Sequence, residues 1–282
     1  MIEYHADDFG VFPGQSRRIL EAVDEGAVNA ISVIVNSPYF NECMTFLENR
    51  SLRTALHINI VSGRPVSEAA CHILTDKNGE FALSFGALLI ASYNPLIRSK
   101  YKEALKEELF AQIQLFSQYF DDSLRLDSHC HFHMIPVVFD ALIDTIKENN
   151  ISVEYIRFPA EKILPGISGF VRPVNLIKAA VLNILCCRNR KKHAESLRGM
   201  ESLSFFGILH SGSMYMKVVQ TIRKYVSDDY EILFHPGGCY ESDDLRSIKH
   251  RGDLKFFSSK NRNLELQTLK GLRRAMENVG SN

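Results

Sequence analysis

Strand-like and helix-like segments alternate along most of this chain. Short runs of β-branched and apolar residues, such as AISVIV at 30–35 and YEILF at 230–234, are followed by loops and then by apolar residues at helical spacing. Seven strands are predicted, at 2–6, 30–35, 54–60, 124–128, 153–158, 202–209 and 230–234. This alternation predicts an α/β fold with parallel strands and right-handed crossovers, most economically closed into a TIM-like (β/α) barrel. An open doubly wound sheet is the alternative architecture.

Helices are predicted between these strands. They cover 15–26, 39–47, 99–120, 136–149, 174–187, 214–226 and 267–279. The stretch 61–98 contains several glycines and prolines and is predicted to be a long irregular loop. Loops of that length usually cover or build a functional site.

Length and composition favour one globular domain spanning residues 1–282. The 282 residues are 45% apolar, which is enough for a large core, and α/β barrels of this length commonly form one domain. Lys plus Arg and Asp plus Glu are both 33, so the formal charge is zero and gives no overall attraction to nucleic acid or anionic membrane. We therefore expect neither of these as a partner.

Cysteine usage and the distribution of apolar residues favour a cytoplasmic protein. The six cysteines are scattered without a CxxC pair, and no secretion signal is recognised. The longest apolar run, at 174–187, is interrupted by Lys178 and is shorter than the roughly 20 residues that span a bilayer. It is expected to be a packed helix.

The most informative stretch is DSHCHFHMIP at 127–136. It brings His129, His131 and His133 within six residues of Asp127. If the backbone is extended, the three imidazoles share one face. Imidazoles and a carboxylate bind zinc and similar ions and can leave coordination positions free for water and substrate. The stretch therefore predicts a catalytic metal site, although the spacing does not rank the three histidines as ligands.

Polar residues stand at the C-terminal ends of the predicted strands. Besides the histidine stretch, these are Asp7, Asp8, Asn36, His57, Arg157, His210 and His235. In (β/α) barrels the active site is assembled at that rim, so these residues are expected to meet in one place. No GxGxxG or Walker A pattern supports a nucleotide site.

Four separated motifs resemble those of the YdjC-like carbohydrate deacetylases. They are HADDFG at 5–10, LH at 56–57 followed by Gly63, DSHCHFHMIP at 127–136, and FHP at 234–236. Together with the segment near residues 251–254 they cover most of the chain. The main departure is His5, which stands where the family usually has asparagine.

The resemblance implies a distorted TIM-like barrel, one divalent cation (Mg²⁺ or Zn²⁺) and removal of an acetyl group from an N-acetylated sugar. The sugar would be a chitooligosaccharide or a phosphorylated disaccharide. Asp8, His57 and His129 would bind the cation, with Asp7 as base and His235 as acid. The residues expected to bind the carbohydrate or orient the base are His131, His133, Asn36, Arg157 and His210. A homodimer is compatible with the sequence.

These assignments fit the chemistry of amide hydrolysis. A metal ion polarises the carbonyl and activates water, Asp7 accepts the water proton, and His235, if it titrates near neutrality, protonates the departing nitrogen. Two alternatives stay open. One is a metal-dependent phosphoesterase or amidohydrolase on a similar barrel, and the other is a catalytically inactive sugar-binding protein.

Overall fold

The structure, a computed structural model, describes residues 1–47, 50, 52–121, 123–164, 171–238 and 251–279, with the backbone alone at 251–253 and 273–279. Its centre is a sheet of seven strands: β1 (Ile2–Phe9), β2 (Ala30–Val33), β3 (Arg53–Ile58), β4 (Leu124–Ser128), β5 (Val153–Ile156), β6 (Ser204–Phe206) and β7 (Tyr230–Phe234). All neighbouring strands are parallel, in the order β5-β4-β3-β2-β1-β7-β6. Apart from β5 and β6, strands that follow one another in the sequence lie side by side, and β1 also lies beside β7. This is the strand arrangement of a (β/α) barrel.

The two edges of the sheet, β5 and β6, meet at one point. The backbone N–H of Glu201, just before β6, donates to the carbonyl of Glu154 at 2.7 Å, and Glu201 forms an isolated parallel bridge with Tyr155. The sheet is thus a curled half-barrel with a seam between β5 and β6. This confirms the prediction of a distorted TIM-like barrel over an open doubly wound sheet.

Helices connect the strands. Their bounds are α1 (Pro13–Asp24), α2 (Phe40–Thr45), α3 (Cys71–Leu74), α4 (Phe85–Tyr93), α5 (Pro95–Ser117), α6 (Pro136–Glu148), α7 (Pro173–Lys192), α8 (Met216–Tyr225), α9 (Arg251–Phe257) and α10 (Lys260–Val279). Four of them, α1, α5, α6 and α7, begin with proline, whose missing N–H has no partner to lose in the first turn. Among the described helices none has both the length and the apolar character required to cross a bilayer.

The prediction of an irregular loop at 61–98 is wrong in part, because this stretch contains α3, α4 and the start of α5. The sequence of α4, FGALLIASY, is apolar on nearly all sides and so lacks the periodicity that marks an amphipathic helix. Ser84 caps the N-terminus of this helix, because its hydroxyl accepts a hydrogen bond from the N–H of Ala87 at 3.1 Å.

Alternate side chains of β1 face opposite sides of the curled sheet. Tyr4 and Ala6 belong to the apolar core, whereas Glu3, His5 and Asp7 face the interior of the half-barrel. The other ionisable side chains of this interior, which we call the lumen, include Arg125, Asp127, Arg157 and Glu231. None of these seven residues is more than 3% exposed. The lumen is therefore polar and charged rather than apolar.

Ion pairs neutralise the lumen charges. Arg157 forms ion pairs with Asp7, Asp127 and Glu231, and Arg125 contacts Glu3 at 2.7 Å. A buried charge is tolerated only when it is paired, since the loss of hydration is otherwise uncompensated. Folding of this barrel therefore depends on the arginines being present.

Replacing Arg157 by leucine should destabilise the protein strongly. Arg157→Leu leaves three buried carboxylates without their shared cation, and we expect the free energy of unfolding in urea to fall by about 3–5 kcal/mol. The control is Arg50, which forms an ion pair with Asp24 at the surface. The side chains of Arg50 and Asp24 are 30% and 54% exposed. Arg50→Leu should cost no more than about 1 kcal/mol. Equal losses in the two variants would contradict this account of the lumen.

Candidate metal centre

Asp7 and Asp8 lie near the C-terminal end of β1, where a regular strand would direct neighbouring side chains to opposite faces of the sheet. The pairing of β1 with β2 shifts register between Ala6 and Phe9, and Asp8 has a left-handed backbone with φ +70°. Such a bulge turns one side chain relative to its neighbour. The irregularity of β1 therefore allows one carboxylate to face the lumen and the next to face the rim.

The three predicted metal ligands lie together. Potential donor atoms of Asp8, His57 and His129 all lie within 4.8 Å of one another. Oδ1 of Asp8 is 2.8 Å from Nδ1 of His129 and 3.5 Å from Nε2 of His57. A carboxylate with two imidazoles is a donor set for zinc and related ions, and it leaves further coordination positions open. The residues therefore fit a single divalent cation.

The ionisable groups of the cluster shift one another's pKa values. Burial alone would lower the pKa of His57, but the carboxylates of Asp127 and Asp7 outweigh it and raise the pKa to about 10. Burial would raise the pKa of Asp8, yet His129 holds it well below its usual range. Without a metal ion the carboxylates hold protons on the imidazoles. A divalent cation could supply the same positive charge.

Asp127 orients His57. Its Oδ1 lies 2.6 Å from Nδ1 of His57, so the other ring nitrogen, Nε2, is directed to Asp8. The second oxygen of Asp127 accepts a hydrogen bond from the hydroxyl of Ser32 and contacts Nη1 of Arg157 at 2.7 Å. A carboxylate behind a metal-binding imidazole fixes its tautomer and makes it a better ligand. The first residue of the histidine stretch thus supports the site without joining its donor set.

Arg157 holds the base candidate. Its Nη1 and Nη2 donate to the two oxygens of Asp7 at 2.9 and 3.0 Å. Of the two expected roles, orienting sugar hydroxyls or orienting Asp7, the geometry supports the second. Arg157 is 0% exposed and lies in the lumen, so it is not placed to touch a sugar at the rim.

The prediction that His129, His131 and His133 share one face is wrong. Residues 129–134 form a short helical turn in which Cys130 and His131 have positive φ angles of 54° and 57°. An extended strand alternates side chains, whereas this turn sends the three rings in different directions. Only His129 lies with Asp8 and His57.

His133 is a structural residue. It is 0% exposed, with Nε2 2.8 Å from the carbonyl of Arg157 and Nδ1 against the hydroxyl of Ser128. Both nitrogens are used by the protein, so the expected contact with substrate is not available. His131 is partly exposed, and its ring lies 5.9 Å from that of Phe205.

His235 follows β7 and is partly buried. Burial lowers the pKa of its imidazole to about 4, although Asp8 and Asp7 act in the opposite direction. The expectation that His235 titrates near neutrality is therefore wrong for the metal-free protein, in which the ring is neutral at pH 7. Its backbone N–H donates to Oε2 of Glu265 at 2.6 Å.

A groove of about 680 Å³ begins beside His129. Asn36 forms part of its wall. The side-chain amide of Asn36 donates to the carbonyls of Asn59 and Arg64 at 3.2 and 3.1 Å. Asn36 therefore holds the backbone of the groove wall in place, and its amide N–H groups are already used within the protein. His210, in contrast, is 1% exposed, and within the described residues neither ring nitrogen has a hydrogen-bond partner. Its burial argues against the expected contact with a sugar.

Aromatic rings connect the groove to the candidate metal centre. Phe12 contacts Tyr39 and Phe257 with ring centroids 5.8 and 5.2 Å apart, and Phe257 contacts Phe256 at 5.1 Å. Phe256, 39% exposed, lies 6.4 Å from the ring of His129 and 6.0 Å from that of His235. The groove therefore offers an apolar wall next to polar side chains, as sites for small molecules usually do.

Three residues of the site were missed by the sequence reasoning, namely Phe256, Arg262 and Glu265. Nη2 of Arg262 donates to Oδ2 of Asp8 at 2.8 Å, and Glu265 accepts from the backbone of His235 and Met214. These residues belong to α9 and α10, in a segment without motif-like spacing. Only the packing of the C-terminal helices against the rim brings them to the site.

Two further clusters of possible ligands lie in the lumen and share His5. They are Glu3 with His5 and Glu231, and His5 with Asp7 and Asp127. The nitrogens of His5 already lie 2.8 Å from Oε1 of Glu3 and 2.6 Å from the hydroxyl of Ser32. Because Arg125 and Arg157 also neutralise these carboxylates, the clusters are internal ion pairs rather than a second metal site.

The fold and the site together define an α/β-barrel protein with a carboxylate–imidazole cluster at the carboxyl ends of its strands. The chain belongs to the family of YdjC-like proteins, whose model matches residues 2–273. The resemblance found in the four motifs is therefore confirmed.

Curated relatives include carbohydrate deacetylases. The human protein is 27% identical over 179 residues, which are 62% of this chain and 54% of the relative. The Clostridium beijerinckii protein is 26% identical over 56% of this chain and 61% of its own length. A Yersinia pestis chitooligosaccharide deacetylase is 27% identical over 56% of this chain and 60% of its own. The matches thus span less than two thirds of each of these relatives.

A solved structure shows the same fold. It is an Enterococcus faecalis protein, provisionally described as a cellobiose-phosphate cleavage protein, that superimposes with a TM-score of 0.65 and covers 99% of this chain and 94% of its own. Because the sequence identity is only 17%, this similarity shows a common fold and nothing about function.

Removing the carboxylate behind His57 should weaken metal binding. Asp127→Asn keeps the shape of the side chain but reverses the hydrogen-bonding pattern that directs Nε2 of His57 to Asp8. We expect the dissociation constant for Zn²⁺, measured by competition with a chelator, to rise by about 10–100-fold. Asp140, buried under Arg98 and Lys192 away from these ligands, offers a control. Asp140→Asn should leave zinc affinity unchanged, and equal effects would contradict the role of Asp127.

His133 should make the protein sensitive to acid. Burial lowers the pKa of His133 to about 4, so between pH 6.5 and 4 the unfolded chain binds the proton better than the folded one. Stability from this residue is complete above pH 6.5 and is lost as the pH falls. Between pH 7 and 5 it should cost about 2 kcal/mol of unfolding free energy in urea. His133→Gln should remove that part of the loss, whereas the exposed-residue control His72→Gln should retain it.

Proposed function

We propose that this protein hydrolyses the acetamide group of an N-acetylated sugar, releases acetate, and uses one divalent cation held by Asp8, His57 and His129. The observation that carries the proposal is the convergence of these three donors beside Asp7 and the aromatic groove. The names of the curated relatives, carbohydrate deacetylase and chitooligosaccharide deacetylase, support the same reaction.

The bound cation would polarise the acetyl carbonyl and lower the pKa of the attacking water. The donor set of two imidazoles and one carboxylate favours zinc or a similar transition ion in intrinsic affinity, although Mg²⁺ is compatible with the carboxylate. Asp8 presents Oδ1 to the imidazoles of His129 and His57, so these three residues would hold the cation.

Asp7 is the proposed base. Its Oδ2 lies 3.9 Å from Nε2 of His57, so this carboxylate stands beside the donor set, and it is not one of its three members. Arg157 fixes both of its oxygens through two hydrogen bonds. A carboxylate held at that position can take the proton of the attacking water without a change of rotamer.

His235 is the proposed acid. The pKa of its imidazole is lowered to about 4 in the metal-free protein, so at pH 7 this ring would first take up the proton that Asp7 accepts from the attacking water and then pass it to the sugar nitrogen. Negative charge that develops on the substrate oxygen would raise the pKa of this ring. Glu265 holds the backbone of His235 in place while the ring changes protonation state.

The groove beside His129 is the proposed place for the rest of the carbohydrate. Tyr39, Phe12 and Phe257 contribute apolar surface to its lining, and the exposed Arg64 contributes a polar group. Short N-acetylglucosamine oligomers and phosphorylated N-acetylated disaccharides are therefore the substrates to test.

The test is release of acetate from these sugars by purified protein supplied with Zn²⁺ or Mg²⁺, with the metal-free protein as control. We expect metal-dependent acetate release and no loss of phosphate from the phosphorylated disaccharide. Release of phosphate in place of acetate would favour a phosphoesterase, and binding without turnover would favour an inactive sugar-binding protein.

Asp7→Asn should abolish turnover without removing the metal. The amide keeps the size of the side chain but does not accept the water proton, so kcat should fall by at least about 10²–10⁴-fold. Metal content, measured by elemental analysis after dialysis, should stay at the wild-type level because Asp7 is not among the three donors. Full activity in this variant would show that another group is the base.

A further inference from the structure

Each aspartate of the Asp7–Asp8 pair has its own arginine. Arg157 contacts both oxygens of Asp7, whereas Arg262 contacts one oxygen of Asp8, with Nη2 2.8 Å from Oδ2. The other oxygen of Asp8, Oδ1, is the one that lies near His129 and His57. The two oxygens of Asp8 are thus divided between the guanidinium of Arg262 and the donor cluster.

Arg262 is held in place by contacts other than Asp8. It is 2% exposed, and its guanidinium carbon lies 4.2 Å from the ring centre of Phe256 and 4.7 Å from that of Phe257. Its backbone carbonyl accepts a hydrogen bond from the N–H of Gly237 at 3.2 Å. Stacking on two aromatic rings fixes the plane of the guanidinium, so its position does not depend on Asp8 alone.

We propose that Arg262 is a positioning residue that restricts Asp8 to one-oxygen coordination of the cation and weakens the affinity of the site for that cation. This inference rests on the proposed metal site at Asp8, His57 and His129. It assigns a role to a residue from the C-terminal helix that no motif indicates.

Two physical effects of Arg262 act in the same direction. Its positive charge repels a divalent cation at the neighbouring ligand, and this repulsion is strong because Arg262 and Asp8 are both buried. Its hydrogen bond also occupies Oδ2, so Asp8 does not use both oxygens on the ion, and a coordination position stays open for water or substrate. Removing the guanidinium should therefore tighten metal binding and reduce the number of bound waters.

This expectation differs in sign from that for a supporting carboxylate. Loss of a carboxylate behind a ligand such as His57 weakens metal binding, since the ligand becomes less basic. Loss of a cation behind Asp8 should make Asp8 a stronger ligand. A purely structural role of Arg262 would instead predict weaker binding, because the site would lose its geometry.

The experiment uses Mn²⁺ as the probe with the full chain. Electron paramagnetic resonance of free Mn²⁺ gives the dissociation constant, and the relaxation rate of water protons reports how many waters the bound ion retains. In Arg262→Met, which keeps an apolar stem against Phe256 and Phe257, we expect the dissociation constant to fall by about tenfold. The water-proton relaxivity of bound Mn²⁺ should fall as well, since the second oxygen of Asp8 displaces a water.

Two further variants control for charge and for folding. Arg262→Lys retains a positive charge and should keep the dissociation constant closer to that of the wild type. Lys270→Met removes a cation from the same helix, where Lys270 pairs with Glu21 and Glu25, and should leave Mn²⁺ binding unchanged. Circular dichroism establishes that each variant is folded.

The outcomes separate this inference from the proposed function. If the wild type binds Mn²⁺ and Arg262→Met binds it with equal or lower affinity, the role of Arg262 is wrong and the metal site stands. If the wild type binds no divalent cation, the metal site fails and the inference fails with it. Tighter binding with fewer bound waters in Arg262→Met alone supports the proposal.

Discussion

The site depends on one buried guanidinium. Arg157 lies in the lumen at 0% exposure and forms ion pairs with carboxylates from three strands, namely Asp7, Asp127 and Glu231. Three carboxylates of like charge would repel one another in a medium of low dielectric constant, and the cation between them turns that repulsion into attraction. Its backbone carbonyl also contacts His133 and so fixes the turn that carries His129. One residue therefore ties the base candidate, the support of His57 and the turn at His129 to a common centre.

The polar lumen continues from this centre towards the opposite end of the barrel. His5 contacts Glu3 and Ser32, and the hydroxyl of Ser32 donates to Asp127, which in turn contacts His57. His5, which stands where the resemblance leads us to expect asparagine, thus lies beside the residues that support the candidate metal centre and not in the groove. Its effect is expected on the orientation of Asp127 and His57, because these residues share hydrogen-bond partners with His5.

The rim is completed from the other end of the chain. Phe256 of α9 lies over His129 and His235, while Arg262 and Glu265 of α10 reach Asp8 and the backbone of His235. Burial raises the pKa of Glu265 to about 7 in spite of its hydrogen bonds to the backbone of His235 and Met214. The C-terminal helices therefore contribute contacts both to the candidate metal ligand Asp8 and to the acid candidate His235.

The sequence by itself determined the strand and helix alternation, and with it the barrel and the rim positions of Asp7, Asp8, His57, His129 and His235. These follow from local patterns, since the apolar periodicity and the polar residues after each strand can be recognised within short segments of sequence. The tertiary structure alone decided that the rings of His131 and His133 point away from His129 and that His210 and Arg157 are buried. It also decided the lowered pKa of His235 and the contact of Arg262 with Asp8. Positive φ angles in a turn, the depth of a side chain and the docking of a distant helix depend on contacts between segments far apart in sequence. A local pattern places a residue at a strand end, but only packing decides which atoms face one another and how much water surrounds them.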